Sequence, residues 1–265
     1  PFQVSKFTII MSIQDNYKHA KSFCSSLLEN LMDLKSESGT LVTLTYAQSL
    51  DGKISGNNGQ QLILSCEESM IMTHRLRALH DGILVGIGTL LNDDPRLTGP
   101  DEPESTIQQP QPIILDSTLR FPLSAKVLLQ SKKSPWIFTR HDHDPKKREL
   151  LEKTGAKIIS IDSDQNGQLS INHLLSTLYS PPFSINCLMV EGGARIINSF
   201  LKSGKVDLLI VTISPVFVGE NGVSAIISNK NNSTEIESNN LPKLTNVIYE
   251  KFGRDIVLAA NIVGI

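Results

Sequence analysis

The chain has 265 residues, 40% of them apolar, and a formal net charge of −2, which fits a larger α/β sheet built as one unit. Its scattered Lys and Arg offer no broad cationic face, so a nucleic-acid partner is not expected, and no charge-free apolar run reaches the ~18 residues of a membrane-spanning helix. Cys24, Cys66 and Cys187 show neither CxxC spacing nor an even count, a usage that suits a reducing compartment and points to a cytoplasmic protein without a disulfide framework.

The first ten residues are mostly apolar but lack the basic head and small-residue cleavage site of a signal peptide. Met11 is a candidate natural start, which makes the residues before it a leader or remnant. Phe23, Leu27, Leu28 and Leu31 recur at helical spacing over residues 18–34, and Ser36-Glu37-Ser38-Gly39 ends the pattern. Residues 1–39 are therefore read as a leader and an N-terminal helix, and 40–265 as one globular unit.

Residues 40–49 are rich in β-branched side chains and predict a first strand, which runs into Leu50-Asp51-Gly52-Lys53. After a glycine-rich turn, Ser65 is placed to cap a helix that carries Glu67 and Glu68 in its first turn and reaches about His80. Gly82–Gly86 suits a short buried strand. The Pro- and Gln-rich stretch at 98–111 reads as a surface loop. Strand-like runs recur at 112–116, Trp136–Thr139, 157–161 and Cys187–Val190, with helical stretches at 145–154 and 171–178. Such alternation implies a mainly parallel sheet flanked by helices. The order changes after a run at 206–214: an Asn- and Ser-rich loop at 228–240 precedes runs at 246–252 and 256–261, which Gly253-Arg254 should turn into an antiparallel hairpin.

The strongest local signal is Leu188-Met189-Val190-Glu191-Gly192-Gly193-Ala194-Arg195-Ile196-Ile197. An apolar strand ends in a carboxylate, two glycines allow close backbone approach, and the following helix points free N–H groups at the same place. That pattern suits a dinucleotide pyrophosphate, although a plain tight turn explains the same residues. It differs from the GxGxxG fingerprint of a Rossmann domain, and no acidic residue stands at the matching distance. His141-Asp142-His143-Asp144 has a metal-like composition, but its position between a strand and Pro145 favours a solvated loop that caps the next helix, and no metal is predicted. Cys66 lies near a helix start without an evident histidine partner and is read as a small packed side chain.

Two further segments, Ala47-Gln48-Ser49-Leu50-Asp51-Gly52-Lys53-Ile54 and the run from Asp81-Gly82 through Thr89-Leu90-Leu91-Asn92-Asp93-Asp94-Pro95-Arg96-Leu97, complete a set of three ordered motifs. Together with the Glu-Gly-Gly segment they resemble the reductase domain of riboflavin biosynthesis, which stands alone in fungi and archaea and follows a deaminase in bacteria. The resemblance spans roughly residues 40–261. It implies an α/β, dihydrofolate-reductase-like fold, an NADPH cofactor, a homodimer, and reduction of the ribosyl side chain of an aminopyrimidine phosphate to a ribityl chain.

Carried onto matching positions, the resemblance makes Thr89 and Asp93 cofactor contacts, although helix capping explains both. It makes Gly192, Gly193, Ala194, Arg195 and Ile196 the pyrophosphate segment, where it agrees with the physical reading. A cation is wanted near the adenosine 2′-phosphate, and Arg140 is the candidate because a guanidinium can hold a phosphate through two parallel bonds. A surface role suits Arg140 as well, and Lys146 or Lys147 could substitute. Ser65, Arg77, Leu97 and Glu191 match positions that hold the substrate's phosphate and sugar. Lys53, Asp51 and Glu191 are the ionisable groups expected to assist ring opening or orient the sugar, with a turn-shaping role for Asp51 equally open. The chain shows neither the His-x-Glu nor the Pro-Cys-x-x-Cys motif of a zinc deaminase. Because a fold does not fix a substrate, a pterin or folate reductase and a non-catalytic nucleotide-binding regulator remain as alternatives.

Overall fold

The computed structural model describes residues 12–34, 39–99, 109–226 and 243–263. The expected loop at 228–240, the leader, and most of the 98–111 loop lie outside these residues. In chain order the elements are helix α1 (Ile13–Leu34), strands β1 (Leu41–Ser49) and β2 (Lys53–Ser55), α2 (Glu67–Ala78), β3 (Gly82–Gly86), α3 (Ile87–Asp93), β4 (Gln111–Leu115), α4 (Lys126–Leu129), β5 (Trp136–Thr139), α5 (Pro145–Lys153), β6 (Lys157–Ser160), α6 (Ile171–Tyr179), β7 (Cys187–Val190), α7 (Ala194–Ser203), β8 (Leu208–Ser214), β9 (Val223–Ser224), β10 (Lys243–Phe252) and β11 (Asp255–Val263).

Among the described residues one nine-stranded sheet has the order β10-β11-β8-β1-β7-β3-β4-β5-β6. From β8 to β6 all neighbours are parallel. β11 then runs antiparallel to β8, and β10 antiparallel to β11. The expected parallel sheet with a C-terminal hairpin is what forms. The chain steps outward from β3 to β6 and returns to insert β7 between β1 and β3. This reversal places the carboxyl ends of β1, β3 and β7 side by side, the place where open α/β sheets bind ligands.

Strand alternation sorts the core. Val42 and Leu44 of β1 and Leu188 and Val190 of β7 pack with Leu174, Leu178, Ile197 and Phe200 of α6 and α7 on one face. Leu41, Cys187 and Met189 point the other way, onto Met72 and Leu76 of α2 and Ala20, Phe23 and Cys24 of α1. Both faces are covered, so the strands read as continuous apolar runs rather than alternating ones. Met72 and Leu76 are fully buried, and each such side chain contributes about 1.5–3 kcal/mol. Burial also pushes the Cys24 thiol up to about 12, so it is an inert packing group. The N-terminal helix is thus part of the packed body: Phe23 meets Phe252 of β10 edge to face.

Candidate active site

A cleft of about 1080 Å³ opens at the carboxyl ends of β1, β3, β4 and β7. Glu191 is the first residue beyond β7, held by its N–H to the Leu84 carbonyl at 2.9 Å. Arg77, in the last turn of α2, meets it with two parallel bonds: Nε to Oε1 and Nη2 to Oε2, both 2.7 Å. Their side chains are 14% and 17% exposed. Burial by itself would lower the Arg77 pKa, but the adjacent carboxylate more than offsets this and raises it. The pair is therefore a neutral, rigid fixture of the cleft wall.

Two residues beyond Glu191, Gly193 donates its N–H to Thr89 Oγ1 at 3.1 Å, which joins the start of α7 to α3. The two glycines differ. Gly192 has φ +153° and a Cβ there would stand 3.3 Å from Ile196 Cβ, so the fold itself asks for glycine. Gly193 has an ordinary φ of −78°, and its added Cβ would meet only Thr89 Oγ1 at 3.8 Å. What its missing side chain keeps open is the cleft. Asp93 lies on the same wall with Oδ1 buried and without a hydrogen-bond partner, and burial pushes its carboxyl above the usual range. The wall so formed combines a backbone cradle, a helix N-terminus and an unused acceptor.

Comparison with known proteins agrees with this geometry. Residues 40–258 match the family model described as the RibD C-terminal domain. The chain belongs to the reductase family of riboflavin biosynthesis. A relative from Debaryomyces hansenii, named 2,5-diamino-6-ribosylamino-4(3H)-pyrimidinone 5′-phosphate reductase, is 39% identical over 209 residues, 74% of this chain and 83% of the relative. A protein of the same name from Saccharomyces cerevisiae is 31% identical over 261 residues, 95% of this chain and 99% of that one. The solved riboflavin biosynthesis reductase of Saccharomyces cerevisiae superposes with a TM-score of 0.69 at 28% identity, covering 90% of this chain and 98% of that chain.

The reductase brings together Ser65, Arg77, Glu191, Thr89, Asp93, Gly192, Gly193, Ala194, Arg195 and Ile196 in the lining of one cleft. Four of the expected residues lie outside the cleft lining. Lys53 is not in the cleft wall, because its Nζ donates to Ser224 Oγ at 2.9 Å and its segment pairs with β9. Asp51 is used within its own turn: it accepts from Ser49 Oγ at 2.6 Å and from the N–H groups of Val218 and Gly219 at 3.1 and 2.7 Å. These bonds hold its carboxyl down at about 2. Leu97 is only 2% exposed and packs in the core against Ile83, Leu90 and Phe121, not against the cleft. Arg140 follows β5, one strand too far out, and its Nε pairs with Asp142 at 3.0 Å.

Ser65 lines the cleft but does not cap α2. The helix starts at Glu67 with Cys66 at the capping position and no side-chain cap from it. Ser117 and Arg120, which line the cleft just beyond β4, escaped the sequence reading. Asp116 accepts the Phe121 N–H at 2.8 Å and lies 3.7 Å from the Arg120 Nε, so it shapes the turn that presents Arg120. The available signal was a polar run at the carboxyl end of a buried strand, the same rule that singled out Glu191 and Asp51.

The donor set fits a nicotinamide dinucleotide. The vacant Cβ position at Gly193 and the first turn of α7 suit a pyrophosphate, and the unpartnered Asp93 Oδ1 suits a hydroxyl or amide donor.

Proposed function

We propose that this chain reduces 2,5-diamino-6-ribosylamino-4(3H)-pyrimidinone 5′-phosphate to its ribitylamino product with NADPH, as a cytoplasmic homodimer. The observation that carries the reading is one cleft lined by both the Arg77–Glu191 pair and the open Gly193 turn. The relatives bearing that substrate's name supply its identity. Bound nicotinamide supplies the hydride. The chain's residues do the rest: Gly192 to Ile196 and Thr89 hold the dinucleotide, while Ser65 and Arg77 face the ribose phosphate. Glu191, fixed by two bonds, accepts from sugar hydroxyls. Opening of the ribosylamine gives an imine; C1 gains the hydride and the nitrogen gains a proton, which balances the reduction. Holding the two carbons close in a pocket that excludes water provides most of the acceleration.

Arg120 and Arg195, both in the cleft wall, take over the 2′-phosphate role first given to Arg140, and they support NADPH over NADH. The homodimer rests on β10, an edge strand with Leu244, Val247, Ile248 and Tyr249 all exposed; edges of this kind are usually covered. Among the described residues no helix is long and apolar enough to cross a membrane.

Following NADPH absorbance with the ribosylaminopyrimidine phosphate tests the reaction. Oxidation that depends on this substrate is the expected result, and cofactor binding without oxidation would overturn it.

A further inference from the structure

The substrate side of the cleft is supported from outside it. Its wall is formed by residues 62–65 and by Thr73 and Arg77 of α2. At its C-terminal end this helix is pinned by the Arg77–Glu191 pair and by buried His80, whose ring nitrogens meet the Leu76 carbonyl at 2.7 Å and Thr43 Oγ1 at 2.9 Å. At its N-terminal end the support comes from the tip of the β10–β11 hairpin. Asp255, wholly buried, accepts the Cys66 N–H through Oδ2 at 2.7 Å. Arg254 Nη2 donates to the Leu64 carbonyl at 3.1 Å, and Cys66 Sγ donates to the Phe252 carbonyl at 3.1 Å. Between them Gly253, at φ +56°, lies so close to α2 that a Cβ would collide with the Glu68 carboxylate and stand 2.9 Å from Cys66 Sγ.

These bonds fall on both sides of Ser65, the one residue of that turn whose neighbours are both tied to the hairpin. Asp255 thus satisfies the backbone N–H of Cys66, the capping residue of α2, from 189 residues away in sequence. Neither Asp255 nor Arg254 lines the cleft. The cofactor wall is built by β3, α3, β7 and α7, while the hairpin's partner in the sheet is β8.

We propose that Asp255 and Arg254 are positioning residues for the substrate half of the site, fixing the Leu64-Ser65-Cys66 segment so that Ser65 and Arg77 are presented together to the sugar phosphate. The proposal rests on the assignment of that wall to the substrate made above. It makes the hairpin part of the substrate apparatus and not of the cofactor apparatus, and a general structural role has no such selectivity.

The test uses the full chain with Asp255→Ala, Asp255→Asn and Arg254→Ala, comparing KM for the pyrimidine phosphate with the NADPH Kd from fluorescence titration. Asp255→Ala should raise KM about tenfold and leave the NADPH Kd within about twofold, the size expected for one charge-assisted bond. Asp255→Asn still offers an oxygen to the Cys66 N–H and should recover to within about threefold of wild type. Arg254→Ala removes the bond to Leu64 and the 3.6 Å ion pair with Asp255 Oδ1, leaves the Asp255–Cys66 bond in place, and should raise KM about threefold. Equal loss of substrate and cofactor binding, or an unmoved KM, overturns the proposal. If Asp255→Ala does not fold, Arg254→Ala decides alone, since its side chain is half exposed. An active wild type with unmoved variants sinks this proposal only, whereas an inert wild type sinks the substrate assignment and this proposal with it.

Discussion

Two strand ends in this molecule carry the same ingredients, a carboxylate followed by glycine at the carboxyl end of a central strand, and they do opposite things. Beyond β7, Glu191-Gly192-Gly193 turns outward: the carboxylate faces the cleft on Arg77, and the Gly193 backbone borders open space. Beyond β1, Asp51-Gly52-Lys53 turns inward. Its carboxylate is filled by Ser49, Val218 and Gly219, and its ammonium by Ser224. The polar groups of Asp51-Gly52-Lys53 are used to tie the β1 end to the 218–224 segment, whereas those of Glu191-Gly192-Gly193 remain in the cleft wall.

The comparison breaks most sharply at Glu191. Glu191→Gln keeps the shape but loses the charge that fixes Arg77, so kcat/KM should fall about 10²–10³-fold with the NADPH Kd little changed. Values of kcat/KM within threefold of wild type would remove Glu191 from the reaction and make the two strand ends alike.

The glycines sharpen it next. Gly193→Ala meets no neighbour closer than 3.8 Å, so its stability cost should stay near ~1 kcal/mol, that of a less suitable capping residue. Its effect should appear in cofactor affinity, a rise in NADPH Kd of roughly tenfold or more, equivalent to about 1.4 kcal/mol. Gly192→Ala should show the reverse balance, since φ +153° and the approach to Ile196 strain the fold itself: a loss of about 1–3 kcal/mol in denaturant melts. Retained NADPH affinity in Gly193→Ala would contradict the pyrophosphate assignment.

How much of this could be read beforehand follows the range of the interactions. The strands Trp136–Thr139 and Cys187–Val190 were legible because a short apolar run between polar turns is a local fact, and each of the three motifs contributes residues to the cleft lining, the one at 47–54 only Ala47 and Ile54. The helix α3 is not legible in the sequence because seven residues beginning Ile87-Gly88-Thr89 are too few to show a period. The start of α2 was misplaced at Ser65 because its capping residue, Cys66, is held by Asp255, far along the chain. Arg140 follows β5, which stands one strand outside the β1, β7, β3 and β4 ends that border the cleft, a placement that only the folded sheet shows. Lys53 lies within the 47–54 motif, but its partner Ser224 belongs to β9, which only the folded chain brings near.

The inward turn has a pH signature that the outward one lacks. The Asp51 carboxyl is held down at about 2 against an ordinary 3.8. A depressed folded value contributes stability that is fully present above the unfolded value and lost as pH falls through the folded one. The tie from Asp51 to Val218 and Gly219 should therefore hold at pH 5 and above and weaken between about 4 and 2, whereas in Asp51→Asn, whose amide oxygen does not titrate, whatever tie remains should not respond to acid. Amide exchange at Val218 and Gly219 reads it directly; protection that does not respond to acid would mean the loop is held by something other than Asp51.

The smallest effect is the most discriminating for the comparison. If the β1 end is structural, Lys53→Ala loses only a hydrogen bond to Ser224 at a partly buried position, costing about 0.5–1.5 kcal/mol of stability, and kcat should stay within about threefold of wild type. A proton-transfer role would instead cost about 10²–10⁴-fold in kcat. The two expectations are separated by more than an order of magnitude, so a single rate measurement on this variant decides whether the lysine leaves Ser224 to enter the cleft when substrate binds, or stays as the brace between β2 and β9.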